Sequence, residues 1–329
     1  MRILINTLQL GNQTFPVNLI QGPLAGVSSA PFRRLIWRYS KPAFVCTEMI
    51  SCKSILHQSK ASLQRLIQID PTEGPVCFQL SANDPKELAE ATQKITAEGA
   101  HLIDLNCGCP VKKIRGKGAG SSHLADPLKL YHLITAMKQN THVPVSVKIR
   151  VDGGSSDAFN AEIAKVVFEA GADFLVVHGR HWTEHYETPC RYDDIQFFVE
   201  QLKIPVIGNG DIACPDSLKK MFATKCAGVM ISRAGVGQPW LIQQLISKMQ
   251  NTLFHLPSRQ EIGEIFIEHI QQLEKLLGHE KWAILHARKL AKYYARGLEN
   301  KMAFCVAVNA CDNLLQLKDI CQRFFIHHF

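Results

Sequence analysis

In this chain of 329 residues, the residue type and setting most suited to chemistry belong to Cys109. It lies in Asn106-Cys107-Gly108-Cys109-Pro110 and is followed by Val111–Ser122, a glycine-rich segment with cations at Lys112, Lys113, Arg115 and Lys117 and no acid. A thiol between glycine and proline could be a nucleophile, a proton donor or a small structural residue. The basic loop beside it suits a polyanionic partner. Further polar groups follow apolar runs: Glu48, Gln79, Lys148 with Arg150, and His178 with Arg180. Glycine-rich turns carry Gly208-Asn209-Gly210-Asp211, and Ser232-Arg233 closes the series. His178 has no second ligand at helical spacing and no CxxC pair is present, so no metal is expected.

These groups need a scaffold that brings distant segments to one place. Eight β-type runs alternate with helix-length segments: 18–21, 43–48, 76–80, 102–106, 145–150, 174–178, 206–209 and 228–232. Most are rich in Val, Ile, Leu and Phe without strict alternation, as in parallel strands buried on both faces. Asn83-Asp84-Pro85 and Asp126-Pro127 read as capped helix starts, and Gly171 as the stop of a helix over 155–169. Eight βα units predict an α/β fold, a (β/α)8 TIM barrel, whose functional groups sit at the C-terminal ends of the strands. An open doubly wound sheet is the rival, but Gly22-Pro-Leu-Ala-Gly26 after the first strand is not GxGxxG. Beyond Pro257-Ser258 only helical patterns follow, over 262–277 and 282–295. The division expected is a barrel over 1–250 and an all-helical domain over 251–329.

Composition sets the class. Lys and Arg number 37 against 29 Asp and Glu, a formal net charge of +8, with 46% hydrophobic and 20% charged residues, which is ordinary for a globular protein. Eleven cysteines, an odd number scattered along a long chain, read as reduced thiols of a cytoplasmic protein, with Cys107 structural. No apolar run approaches the ~18 residues of a membrane span, and the N-terminal segment lacks a secretion signal's apolar core. Six cations at 281, 288, 289, 292, 296 and 301 oppose one acid, Glu299. Of these, 281, 288, 292 and 296 recur at helical spacing, a stripe suited to phosphates.

A small or polar group at every strand end exceeds what filling a barrel requires and reads as a cofactor cradle. Glycine turns after strands seven and eight, with Arg233, suit a phosphate. Lys148 could stabilise negative charge on a ring as it is reduced, and Gln79 and Asn106 suit a heterocycle edge. A phosphorylated flavin, FMN, satisfies this set better than a dinucleotide.

With these residues assembled, the chain resembles the tRNA-dihydrouridine synthases. The matching elements are Gly22-Pro-Leu-Ala-Gly-Val27, Phe78-Gln79-Leu80, Asp104-Leu-Asn-Cys-Gly-Cys-Pro110, Lys148-Ile-Arg150, Val177-His-Gly-Arg180, Gly208-Asn-Gly-Asp-Ile212 and Met230-Ile-Ser-Arg233. The pattern is closest to the bacterial B-type subfamily. The resemblance implies FMN, NADPH as the usual reductant (NADH being the other donor), and a uridine of the tRNA D-loop as substrate. Hydride would pass from flavin N5 to uracil C6, and Cys109 would give the proton to C5. FMN contacts carry over to Pro23, Leu24, Ala25, Gln79, Lys148, His178, Asn209, Gly210, Asp211, Ser232 and Arg233. Asn106, Lys112, Lys113, Arg288, Lys289 and Lys292 are the substrate-side candidates, and a monomer without a protein partner is expected. Three positions depart from the family pattern: Ser232 where Gly is usual, Cys107 where Met or Leu is common, and His181-Trp182 where Thr-Arg is usual. A dihydroorotate- or dihydropyrimidine-type FMN dehydrogenase would also explain the cradle, though not the basic tail. A catalytically silent tRNA-binding protein would explain the tail alone.

Overall fold

A computed structural model describes residues 4–154 and 157–327. Its strands are β1 (Leu8–Leu10), β2 (Gln13–Phe15), β3 (Leu19–Gln21), β4 (Val45–Cys46), β5 (Ile50–Ser51), β6 (Val76–Ser81), β7 (Leu102–Cys107), β8 (Val145–Arg150), β9 (Phe174–His178), β10 (Val206–Asn209) and β11 (Gly228–Ile231). In order, β3, β4, β6, β7, β8, β9, β10 and β11 pair as parallel neighbours, and β11 pairs back onto β3. The barrel of eight is closed, with helices between its strands as the alternation of patterns requires.

Register explains both the core and the rim. Inward positions recur every second residue. Leu102, Phe174, Ile207 and Ile20 meet in an apolar plug at the strand starts. Steps of two from these lead to Asp104 and Asn106, to Val176 and His178, and to Asn209. The alternate residues, Ile103, Leu105, Cys107, Val147, Ile149, Val177 and Val229, belong to the layer shared with the helices. Cys107 therefore faces away from the barrel axis, in keeping with a structural thiol.

Three details differ from the sequence reading. The expected second strand, 43–48, is cut to Val45–Cys46, and β5 resumes after a break. In the gap the Thr47 hydroxyl, rather than a backbone carbonyl, accepts the Gln79 N–H at 3.1 Å, and Glu48 turns to accept the Gly26 N–H at 2.6 Å. The antiparallel hairpin β1–β2 was not anticipated; its turn uses Gly11 at φ +54°. It buries Leu8, Leu10 and Phe15 against the plug and so covers the N-terminal end of the barrel. The helix predicted from Ser155 begins at Ala158, Ser155 itself lying outside the described residues.

Helix starts follow their caps. The Asp84 carboxylate, rather than the amide of its neighbour Asn83, accepts the Lys86 and Glu87 N–H groups at 2.8 and 3.0 Å. Asp126 does the same for Lys129 at 3.0 Å. The C-terminal helices are Arg259–Leu277, Glu280–Tyr294, Lys301–Ala310 and Leu314–Phe325. They pack round Phe266, Phe304, Phe324 and Phe325, with the rings of Phe304 and Phe324 stacked at 4.2 Å. The first of them docks on the barrel helix Ala30–Ser40 through Arg38–Glu268 and Arg34–Gln272 bonds of 2.5 and 3.0 Å. Among the described residues no helix is long and apolar enough to cross a membrane.

Candidate active site

One cleft of about 930 Å³ opens at the C-terminal ends of the strands. Every residue named above as a flavin contact lines it, from Pro23-Leu24-Ala25 through Gln79, Lys148 and His178 to Asn209-Gly210-Asp211 and Ser232-Arg233. Asn106 and Cys109 line it too. Strands β6 to β10 and the segments that follow β3, β7, β10 and β11 thus supply one surface, the strand residues brought to one level of the barrel by their inward register.

Its floor is a chain of hydrogen bonds between neighbouring strands. Ser146 Oγ and Gln79 Nε2 donate to the two Asp104 carboxylate oxygens at 2.6 and 2.8 Å. Asn106 Nδ2 donates to Gln79 Oε1 at 2.8 Å, which fixes the orientation of both amides. Asn106 Oδ1 in turn accepts the Cys109 N–H at 3.0 Å and so pins the loop that carries the thiol. Lys148 Nζ donates to Asn209 Oδ1 at 2.8 Å, and Asn209 Nδ2 donates to the Met230 carbonyl at 2.8 Å. Burial pushes the Asp104 carboxyl upward, opposed by the Ser146 and Gln79 bonds and by Lys148. The same burial pulls the Lys148 ammonium down, with Asp104 restoring part of it.

His178 is a neutral imidazole. Burial lowers its pKa strongly, and Lys148, Arg150, Arg180 and Arg233 each push it further down. Arg180 donates to its Nε2 at 3.2 Å; a guanidinium can only donate, so the hydrogen sits on Nδ1. Arg180 is 1 % exposed and also bonds Asp211, the Tyr186 carbonyl at 3.0 Å and the Thr188 carbonyl at 2.5 Å. It is the post on which the loop between β9 and residue 191 is wound. Gly210 has φ +135°, and a Cβ there would lie 2.5 Å from Cys190 Sγ, so glycine is required.

The basic groups fare unevenly. Lys112 and Lys113 are exposed on a short helical turn, Lys112–Arg115, within what the sequence presented as an open loop. Arg115 is not free for phosphate: its guanidinium lies over the Trp182 ring at 3.3 Å. Arg233 stacks on Tyr186 at 3.9 Å and reaches Asp211 at 3.4 Å. In the tail, the stripe expected at 281, 288, 292 and 296 breaks, because the helix ends at Tyr294. Arg288 is drawn to the Cys311 carbonyl at 3.0 Å and to Asp312 at 3.4 Å. Lys289 and Lys292 stay exposed, Lys289 close enough to Glu48 to oppose the rise that burial imposes on that carboxyl.

Several lining residues carried no sequence signal as site residues. Tyr186 sits in an irregular loop with no repeating pattern, and Met49, Ile212 and Ala234 are ordinary apolar residues. Tyr293 also lines the cleft from the tail, beside Arg296, which the sequence marked only as a member of a phosphate-suited stripe. Arg150, already conspicuous at a strand end, donates to the Gly108 carbonyl at 3.0 Å and the His181 carbonyl at 2.9 Å, tying the Cys109 loop to its neighbour.

A closed (β/α)8 barrel whose rim joins a lysine, a neutral histidine, glycine turns and a half-buried thiol has the makings of an enzyme site. A family model described as Dihydrouridine synthase (Dus) matches residues 20–327. The chain belongs to the dihydrouridine synthase family. It is 33% identical over 308 residues to tRNA-dihydrouridine synthase B of Pseudomonas aeruginosa, covering 93% of this chain and 92% of that protein. To a probable tRNA-dihydrouridine synthase 1 of Synechocystis it is 33% identical, covering 95% and 88% of the two chains. To a probable tRNA-dihydrouridine synthase of Rickettsia conorii it is 31% identical, covering 97% and 96%.

Proposed function

We propose that this chain is a flavin-dependent tRNA-dihydrouridine synthase acting in the cytoplasm, which reduces the C5–C6 bond of D-loop uridines with FMN as cofactor and NADPH, or NADH, as electron source. The observation that carries the reading is the meeting, in one cleft, of the phosphate-suited turns at 209–211 and 232–234 with Lys148 and the Cys109 thiol. A cleft of about 930 Å³ lies at the upper end of the range for small-molecule sites, which suits a flavin with a base beside it.

The residues divide as follows. Ser232, Arg233 and the glycine turn at 210 would hold the phosphate, Arg233 leaving Tyr186 to do so. Pro23, Leu24 and Ala25 give an apolar wall, and Gln79 a polar edge for the ring. Lys148, kept in place by Asn209, offers a cation where negative charge accumulates on a reduced ring. The flavin, when bound, supplies a hydride for uracil C6. Cys109 then gives its thiol proton to C5; the C5–C6 π bond is lost, two C–H bonds form, and the thiolate regains a proton from solvent. The target base has to leave its stack to reach this depth. Exposed Lys112, Lys113, Lys289 and Lys292 would meet the tRNA backbone, while Arg288 serves the tail's own fold. In this division the barrel, 1–250, performs chemistry and the helical part, 251–329, grips RNA as a monomer.

Purified protein incubated with FMN, NADPH and an unmodified tRNA transcript should add 2 Da to D-loop uridines, read by mass spectrometry of nuclease fragments. Turnover of free uridine at a comparable rate would instead favour a small-molecule dehydrogenase. A protein that binds the transcript but takes up no flavin would favour a silent RNA binder.

A further inference from the structure

The helical tail reaches into the cleft at one point. Tyr293 and Arg296 line it beside Ser232, Arg233 and Ala234. Arg296, although exposed, turns its guanidinium back onto the barrel. It donates to the Ala234 carbonyl at 3.1 Å and to the Val236 carbonyl at 3.3 Å, both in the segment that begins with the Arg233–Gly235 turn. Its guanidinium lies 5.8 Å from the centre of the Tyr293 ring. Next along the chain, Gly237 has φ +73°, and a Cβ there would sit 2.4 Å from the Tyr293 carbonyl carbon, so tail and turn meet backbone to backbone. From the barrel side, buried Gln21 donates to the Ser232 carbonyl at 3.3 Å, and a Cβ on Gly235 would lie 2.3 Å from its Oε1. The turn is gripped by Gln21 from within the barrel and by Arg296 from the tail.

We infer that Arg296 is a positioning residue for the cofactor's phosphate, acting through the Ser232–Val236 segment, so that the tail completes the cofactor site as well as meeting RNA. This rests on the flavin reading above. The physical reason is the fork of the guanidinium. Two charge-assisted bonds to carbonyls on either side of Gly235 hold the turn in one conformation, and a turn already ordered loses less freedom on binding an anion.

The test uses full-length protein freed of flavin, with wild type, Arg296→Ala and Arg296→Lys titrated with FMN and, separately, with riboflavin, following flavin fluorescence. Riboflavin shares the ring and ribityl chain and lacks the phosphate. Arg296→Ala should weaken FMN roughly tenfold and leave riboflavin unchanged, since the loss falls on hydrogen bonds ordering the phosphate turn alone. Arg296→Lys, a single point charge, should lie between. Unchanged FMN affinity in Arg296→Ala overturns the inference, and so does an equal loss for both flavins, which would mean a cleft damaged as a whole. Wild-type protein that binds neither flavin would sink the flavin reading and this inference with it; wild-type binding with an unaffected variant overturns this inference alone.

Discussion

The barrel rim and the helical tail both carry unusual numbers of polar and charged residues, yet the two treat them oppositely. At the rim the groups are withdrawn from water and joined in a network. Asp104, Gln79, Asn106 and the Cys109 amide form one chain of bonds, and Lys148, Asn209 and the Met230 carbonyl another. In the tail the cations either stay in water, as Lys289 and Lys292 do, or are taken by nearby carbonyls and carboxylates, as Arg288 and Arg296 are. Rim geometry is set by strand register and cannot shift without moving the barrel. Tail geometry depends on where one helix happens to stop. A rim of this kind suits a cofactor and a reacting atom, which demand fixed positions. A tail of this kind suits a backbone of repeated phosphates, which does not.

The contrast has an energetic form that can be broken. Arg180–Asp211 at the rim has its arginine 1 % exposed, whereas Arg288–Asp312 in the tail has side chains 33 % and 82 % exposed. Arg180→Ala should cost about 3 kcal/mol, because it empties the space of a buried guanidinium and leaves the Tyr186 and Thr188 carbonyls without their donor, while Asp211 keeps only Arg233 and the Cys190 N–H. Arg288→Ala should cost no more than about 1 kcal/mol. Urea unfolding of both variants checks this, and equal midpoint shifts would erase the distinction.

Buried histidines sharpen it further. His269, under the tail, bonds the Tyr294 hydroxyl at 2.9 Å, and burial pulls its pKa down to about 3. His123 is pulled down to about 4 by burial, although the Ala82 carbonyl opposes this. Both fold as neutral rings while the unfolded chain takes up protons below its ordinary pKa of about 6.5, so their stability is present above that pH and lost as pH falls toward the folded values. Each should remove about 2 kcal/mol between pH 7 and pH 5. Replacing His269 by Gln should flatten the fall in Tm over that interval; an unaltered slope would mean that His269 is not responsible.

The rim was readable in the sequence for a definite reason. A strand buried on both faces must justify each polar side chain, so Gln79, Asn106, Lys148, His178 and Asn209, each at the end of an apolar run, could only point inward at the top of the barrel. The same logic separated Cys107 from Cys109, one inside the strand and one beyond it. The tail was misread where helical spacing was extended past a helix end: Arg296 follows Tyr294 and turns back to the barrel. Arg115 and Trp182 are 67 positions apart, and nothing in either segment signals that the guanidinium would stack on the ring. Tyr186 was invisible for a related reason, since an irregular loop has no period that says which of its aromatics, Trp182 or Tyr186, faces the cleft. The hairpin at 8–15 had a local signal in Leu8-Gln9-Leu10-Gly11-Asn12, two alternating leucines before a glycine turn.

The central claim is that the rim positions Cys109 to deliver a proton to a base reduced in the same cleft. Its most direct test is a single-turnover measurement in which flavin-loaded protein is reduced with NADPH under anaerobic conditions and mixed with unmodified tRNA. Flavin reoxidation is followed by absorbance in wild type and Cys109→Ala. The account predicts equal flavin content and equal reduction by NADPH, with reoxidation by tRNA slower in the variant by about 10²- to 10⁴-fold, the range of a lost general acid. Reoxidation by tRNA at the wild-type rate in Cys109→Ala would contradict it.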